Sequence, residues 1–477
     1  MAARDAEVAG AQPGNDPRRW RAFLVTQAGG FMVLLDVTIV TVAVPSIQSG
    51  LDASASGVQW VVSGYPLMFG LALVAGGRLG DAFGRRRMYL IALTGFVVTS
   101  AAAGAAPSLT LLVVARLLQG VAGGFITPQN LGLIQDMFRG AERSRAFGML
   151  GATLSVSTAV GPVVGGLLIG GFGEPDGWRW VFLVNVPLGV LALILAARLV
   201  PRIERGSGAT EIDVAGIVLL GLAVLGVLLP VVQSEDGGLS RLWWMFPVAG
   251  VFLLAFVRWQ RRRMATGRAP VVDLRLFTEV VGYRAGSVLG AVYFAGFSGV
   301  WLVFALYFQV TVGLSALVTG LVLTPYALGG VSAALAGRVL HRWGRWVTVA
   351  GLSLVTVGFA AVALIGVVLP ADQVAGWVLF PLLLAGIGGG AVIAPNTALT
   401  MTEVPARMAG VSAGLLQTGQ RIGAALGTAL LAAVFHAAGM PASVLCAVGL
   451  VLVALALAIR ELCVSPRRDI LSWKVSA

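Results

Sequence analysis

Long apolar runs, each closed by a cluster of arginines, glycines or acidic residues, recur along the whole chain. A hydrocarbon core about 30 Å thick, climbed at about 1.5 Å per residue, takes roughly 20 apolar residues per helix. Runs of that order occupy 22–45, 57–77, 88–106, 108–130, 146–170, 180–199, 213–232, 243–257, 285–312, 315–336, 347–369, 374–400, 408–436 and 439–459. Fourteen transmembrane helices are therefore predicted, in an all-α integral membrane protein with little chain left for soluble domains. Residues 1–19, polar and rich in Gly, Pro and Asp, read as a disordered cytoplasmic tail. The first run is expected to serve as an uncleaved start of insertion.

Composition sharpens this picture. The residues AVILMFWYC make up 58% of 477 positions and charged residues 11%, with a mean hydropathy of +0.91. A soluble domain carries roughly 25% charged residues, so most of this chain must face lipid or neighbouring helices. Two cysteines exclude a disulfide framework and a Cys-rich metal centre. The single lysine, Lys474, has no phosphate-cradling glycine loop before it, which excludes an ATP-driven pump. No clustered nucleophile or His/Asp constellation marks an enzyme, and no cofactor is expected beyond a proton gradient as energy source.

The net charge of +12 raises the question of nucleic acid, and its distribution answers it. With the N-terminus in the cytoplasm, cytoplasmic tails and loops hold 29 of the 33 Lys and Arg. Arg179 and Arg241 fall outside, and Arg116 and Arg421 fall within spans. Such asymmetry supports the span number and the orientation, with both termini cytoplasmic in a bacterial-type inner membrane. The positive charge is then an inner-face property suited to anionic membrane lipids, not to nucleic acid.

An internal repeat divides the chain. Gly77, Gly84 and Arg85 match Gly337, Gly344 and Arg345 at an offset of 260, each set on a short turn between spans. Ile126-Thr-Pro128 is echoed by Ile393-Ala-Pro395. Two six-helix bundles satisfy both matches: an N-terminal bundle at 20–200, a linker at 201–281 carrying two extra helices, a C-terminal bundle at 282–462 and a tail at 463–477. Repeats of this kind build alternating access around a midplane site.

Several residues carry chemistry. Asp36 is the acidic residue placed deep within a span. Insertion of a carboxylate there costs about 2.5–3.5 kcal/mol, and burial penalises the charged form. Asp36 is thus a candidate carrier of a proton or a cationic substrate, or a fixed anion tied to Arg116. Arg116 cannot deprotonate and needs backbone carbonyls, Gln119 or Asp36 as partner, acting as an electrostatic switch or a static tether. Arg421 is placed near enough to the inner interface to snorkel. On the second loop, Gly77, Gly80 and Gly84 allow close backbone approach, while Arg85 and Arg86 flank it. Asp81 can accept hydrogen bonds from helix N-termini or an arginine and so latch one state. Ser157, Gly161, Pro162, Gly165 and Gly166 give small-xxx-small spacing with a helix-bending proline, a packed seam beside a cavity. Tyr65, Gln129, Asn130, Tyr293, Trp301, Tyr307, Gln309, Asn396 and Gln417 are the polar and aromatic candidates for that cavity. Scattered rings and few fixed charges suit a small lipophilic, often cationic substrate. His341, His436 and Cys463 read as surface groups, and Cys446 as lipid-facing or packed.

The loop Gly77–Arg87 resembles the cytoplasmic signature of the major facilitator superfamily, with Ala82 where an arginine is usual and His341 in place of the acid in the second copy. Leu35-Asp36-Val-Thr38 through Pro45 resembles the first-span signature of its fourteen-span drug/proton antiporters, with Thr41 where that family has Asn. Ala115–Gly120, Ser157–Gly166 and Trp178–Gly189 are similar to three further signatures of those antiporters, taken in order. The resemblance implies a proton-coupled multidrug exporter, functional as a monomer, exchanging protons for a lipophilic drug. A transporter of a specific metabolite, siderophore or endogenous antibiotic on the same fold is the other reading.

Overall fold

The computed structural model describes residues 18–173, 175–201, 212–233, 237–314, 316–335, 343–405 and 408–464. Among them regular structure is entirely helical. The first part of the chain forms α1 (Arg18–Gly50), α2 (Ala55–Phe83), α3 (Arg85–Gly104), α4 (Leu109–Met137), α5 (Gly140–Phe172), α6 (Trp178–Leu183) and α7 (Asn185–Leu199). The connecting region holds α8 (Val214–Val232), a short α9 (Gly238–Arg241) and α10 (Met245–Ala265). The last part forms α11 (Tyr283–Ala305), α12 (Ala316–Leu335), α13 (Arg345–Val368), α14 (Ala371–Trp377), α15 (Leu379–Met401) and α16 (Ala409–Val464).

Local chemistry sets these boundaries. Ser54, Ser108 and Asp213 each accept a hydrogen bond from a first-turn amide of α2, α4 and α8, respectively. One residue, Gly84 at φ +92°, separates α2 from α3, and few side chains tolerate that conformation. A second left-handed glycine, Gly439 at φ +78°, breaks α16 just before Pro441. That break falls between the two last predicted runs, so α16 is two helices that meet at Gly439. Residue 184 similarly interrupts the sixth predicted run, and α10 continues to Ala265, past the predicted end at 257, through a turn of arginines.

Among the described residues ten helical segments are long and apolar enough to cross a membrane, and Val163–Phe172 and Val318–Ala333 form shorter apolar helices. Their outer faces carry bare hydrocarbon: Leu167, Val367 and Phe380 are about as exposed as free side chains allow, at 71%, 68% and 72%. Such a surface is stable against lipid and not against water.

Of the two larger apolar cores, the first spans the N-terminal helices and reaches Met401, Val411 and Leu416 of the last part, and the second lies within the last part. Tyr65, Tyr89, Phe96 and Phe147 fill the first, while Tyr293, Phe304, Phe359 and Leu382 fill the second. A smaller cluster of Ile39, Val40, Ile47 and Trp178 closes the first bundle beyond Asp36. The halves meet where α16 packs on α2 and α4, and where α5 packs on α12 and α15. The extra helix α8 lies against both α2 and α16 and carries α10 on its other side. Asp213 fastens that pair: its carboxylate accepts from Gly216 N, Trp259 Nε1 and Gln260 Nε2, all at 2.9 Å.

Candidate functional site

Inside the first bundle, four helices converge on one carboxylate. Gly120 and Gly124 bring α4 against α2, since a methyl group at either would lie 2.5 Å from a carbonyl of α2. This approach lets Arg116 of α4 cross to α2, where its Nε donates to Val61 O at 3.0 Å. The guanidinium also pairs with Asp36 of α1 and donates to Gln119 Oε1 at 2.7 Å. It lies over the Tyr65 ring, 4.4 Å from the centroid. The other oxygen of Asp36 accepts from Gln119 Nε2 and Asn185 Nδ2, both at 3.1 Å. Ser100 of α3 accepts from the same two amides at 3.0 and 3.2 Å and donates to Phe182 O. Asp36, Ser100, Gln119 and Asn185 are fully buried.

The sequence names Asp36, Arg116 and Gln119 for this site; it offers Asn185 and Ser100 only as polar residues within apolar runs. Both hold the carboxylate network in place. A network this complete makes the buried charges tolerable, because each has a counter-charge or aligned donors.

A second site joins the halves. Gly77 of α2 touches Gly410 of α16 so closely that a methyl group would fall 2.2 Å from Gly410 O. Asp81 accepts from the Gly410 and Val411 amides at 3.1 and 2.9 Å, capping the first turn of α16 from the opposite half. Arg85 pairs with Asp81 at 3.2 Å and with Asp136 of α4 at 2.8 Å, and donates to Gly132 O. Arg86 donates to Ala197 O of α7. Both kinds of donor foreseen for Asp81 are therefore present, and Asp136 is a partner that the loop pattern does not reveal. In the second copy, Gly337 and His341 lie outside the described residues, and Arg345 faces Glu461 at 3.6 Å.

Between the halves lies a cavity of about 100 Å³, with Phe69, Asn130, Phe147, Phe294, Gln417 and Arg421 among its walls. Among the described residues Arg421 is its one charged lining residue, and no carboxylate lines it. The guanidinium lies 4.7 Å from the Phe69 centroid, pointing into the cavity and not snorkelling to an interface. Phe69 stacks on Tyr65 at 6.2 Å. Two rings on successive turns of α2 thus separate Arg421 from Arg116.

Of the residues expected to form the cavity, Asn130 and Gln417 line it. The others lie elsewhere, several of them between helices. Gln129 donates to Gly76 O at 2.7 Å, and Asn396 to Gly286 O at 3.0 Å. Tyr65 donates to Val33 O at 3.0 Å, Tyr293 stacks on Phe297 at 5.5 Å, and Trp301 meets Tyr326 edge-on at 4.8 Å. Tyr307 packs against Phe308 in a π-helical turn and Gln309 is exposed. In the α5 motif, Gly161 and Gly165 face Thr38 and Ile39 of α1, so that seam lies within the first bundle. Ser157 is buried on the same side, where its carbonyl accepts from Thr38 Oγ1 at 3.4 Å. Gly166 has open space beside it, and the Pro162 side chain is outside the described set. Among the described residues no group of His, Cys, Asp and Glu is arranged to hold a metal.

Known proteins resemble this chain. The chain is 34% identical over 438 residues to a probable actinorhodin transporter of Streptomyces coelicolor, covering 90% of this chain and 74% of that protein. It is 36% identical over 428 residues to puromycin resistance protein pur8 of Streptomyces alboniger, covering 88% and 82%. The human organic anion transporter MFSD10 superposes with a TM-score of 0.69 at 18% identity, over 93% of this chain and all of that one. The family model described as the Major Facilitator Superfamily matches residues 28–428, and the chain belongs to that superfamily of membrane transporters.

Proposed function

We propose that the protein is a proton-coupled exporter of lipophilic drugs or antibiotics, working by alternating access. It crosses a bacterial-type inner membrane fourteen times, with both termini in the cytoplasm, and acts as a monomer. Helix covers each predicted run, and the break at Gly439 supplies the last turnaround. Relatives named for antibiotic transport and resistance support the cargo class.

One observation carries the coupling: Asp36 is sealed beside an arginine that keeps other partners. Protonation at the Asp36 oxygen facing Arg116 breaks one ion pair, yet the guanidinium retains Val61 O, Gln119 Oε1 and the Tyr65 ring. The carboxyl group can therefore change charge without stranding its neighbour. Tyr65 then links that change to Phe69 on the cavity wall. One proton entering down 150 mV supplies about 3.5 kcal/mol, at about 2.3 kcal/mol per 100 mV, enough for a cargo gradient of a few hundred-fold.

The test is transport in proteoliposomes under an imposed pH gradient, with a panel of neutral, anionic and cationic lipophilic compounds. Wild type accumulates at least one of them against its gradient. Asp36→Asn inserts and purifies normally but loses gradient-driven accumulation. Undiminished accumulation by that variant overturns the proton-carrier assignment.

A further inference from the structure

We infer that the central cavity takes its cargo as an organic anion, an aromatic compound bearing a carboxylate, a sulfonate or an ionised phenol, with Arg421 as counter-ion. This deepens the exporter reading and rests on it. The contrast between half-buried Arg421 and the buried arginines points to such a ligand. Arg116, Arg85 and Arg263 each pair with a carboxylate of the protein. Arg421 has neither carboxylate nor carbonyl partner among the described residues, and its charge is balanced only by the face of Phe69. A guanidinium at membrane depth without a counter-charge is costly, and a bound anion is the partner that removes the cost.

The surroundings fit the same ligand. Gln417 and Gln420 precede Arg421 on α16 and Asn130 lines the cavity from α4, so three amide side chains share its wall with the guanidinium. Phe69, Phe147 and Phe294 offer flat apolar faces for an aromatic body. The cavity volume of about 100 Å³ lies below the roughly 300–1,000 Å³ of a drug-sized site, so cargo enters only when the halves part. Closure over a cation would press it against Arg421 with no carboxylate in the lining to offset the repulsion. Closure over an anion neutralises the site. The membrane potential adds to this selection, because an inside-negative voltage favours outward movement of an anion and opposes that of a cation.

The test uses three ligands on one fluorescent scaffold: dansylglycine (anionic), dansylamide (neutral) and dansylcadaverine (cationic). Each is titrated against the purified full chain in lipid nanodiscs, with no pH gradient. Wild type is expected to bind dansylglycine at least tenfold more tightly than dansylcadaverine, with dansylamide between. Arg421→Gln should bring the three within about threefold of one another, with dansylamide binding retained as the sign of an intact cavity, while Arg421→Lys keeps the order. Equal or reversed affinities in wild type overturn the inference, as does an unchanged order in Arg421→Gln. Proton-driven export without charge preference refutes this inference alone; charge preference without proton-driven export refutes the coupling alone.

Discussion

Arg116 and Asp36 form a pair whose two members depend on it unequally. The arginine keeps a carbonyl, an amide oxygen and a ring if the acid is neutralised. The acid without the arginine keeps only two amide donors. Removal of one member of a buried pair costs about 3–5 kcal/mol when the other stays charged. Arg116→Ala is therefore expected to change the pH profile of transport; an unchanged profile excludes the tuning role. Much of this site was legible, since an acid and an arginine within apolar runs each demand a partner. Asn185 and Ser100 were not singled out, because a lone amide or hydroxyl in a membrane helix serves equally well as helix glue. The cavity was the least legible part: Gln129 and Asn396 share the residue types of Asn130 and Gln417 yet bind neighbouring helices. Which face of a helix meets the gap between two halves is set by packing across the whole bundle.

At the scale of elements, the α16 N-terminus is held by a carboxylate from the other half. Loss of such a cap costs about 0.5–2 kcal/mol, which shifts a two-state balance by roughly 5–30-fold at 1–2 kcal/mol. Asp81→Ala should therefore raise maleimide labelling of a cysteine placed at Gln417 from the Asp81 side, with Cys446 and Cys463 replaced by serine. Gly77→Val should do so more strongly, because the new side chain meets the Gly410 backbone, which cannot yield. Equal labelling rates in all three proteins contradict the latch. The loop glycines and Asp81 were visible as a pattern, but Gly410 and Val411 were not, being 330 residues away and bonded through their amides.

The α8–α10 pair hangs on Asp213. Burial pushes its carboxyl up, but the Trp259, Gly216 and Gln260 donors and Arg263 outweigh burial and hold it below the usual carboxylate range. A depressed acid contributes stability that is complete above the ordinary value of about 4 and is lost as pH falls through the lowered one. The thermal midpoint of wild type should therefore exceed that of Asp213→Asn by a constant margin from neutral pH to about pH 5. That margin should close only in stronger acid. A margin that shrinks between neutrality and pH 5 contradicts this assignment.

Across the whole molecule, the run lengths gave the all-helical membrane class, because a bilayer imposes a length on every span. The sequence repeat marked the two halves, and the structure adds how they touch. They are latched through Asp81 at one end, with a small positively charged cavity between them. In the proposed mechanism the proton and cargo sites are distinct, and Tyr65 and Phe69 on α2 lie between their two arginines. Coupling between binding sites is reciprocal, so a cargo gradient must drive protons as surely as protons drive cargo. The most direct measurement loads proteoliposomes with a transported compound that has no titratable group, adds trapped pyranine, and dilutes them into cargo-free buffer. As cargo leaves, the lumen should acidify with wild type and stay constant with Asp36→Asn. Cargo efflux through wild type with no pH change, or acidification that survives in Asp36→Asn, contradicts the account.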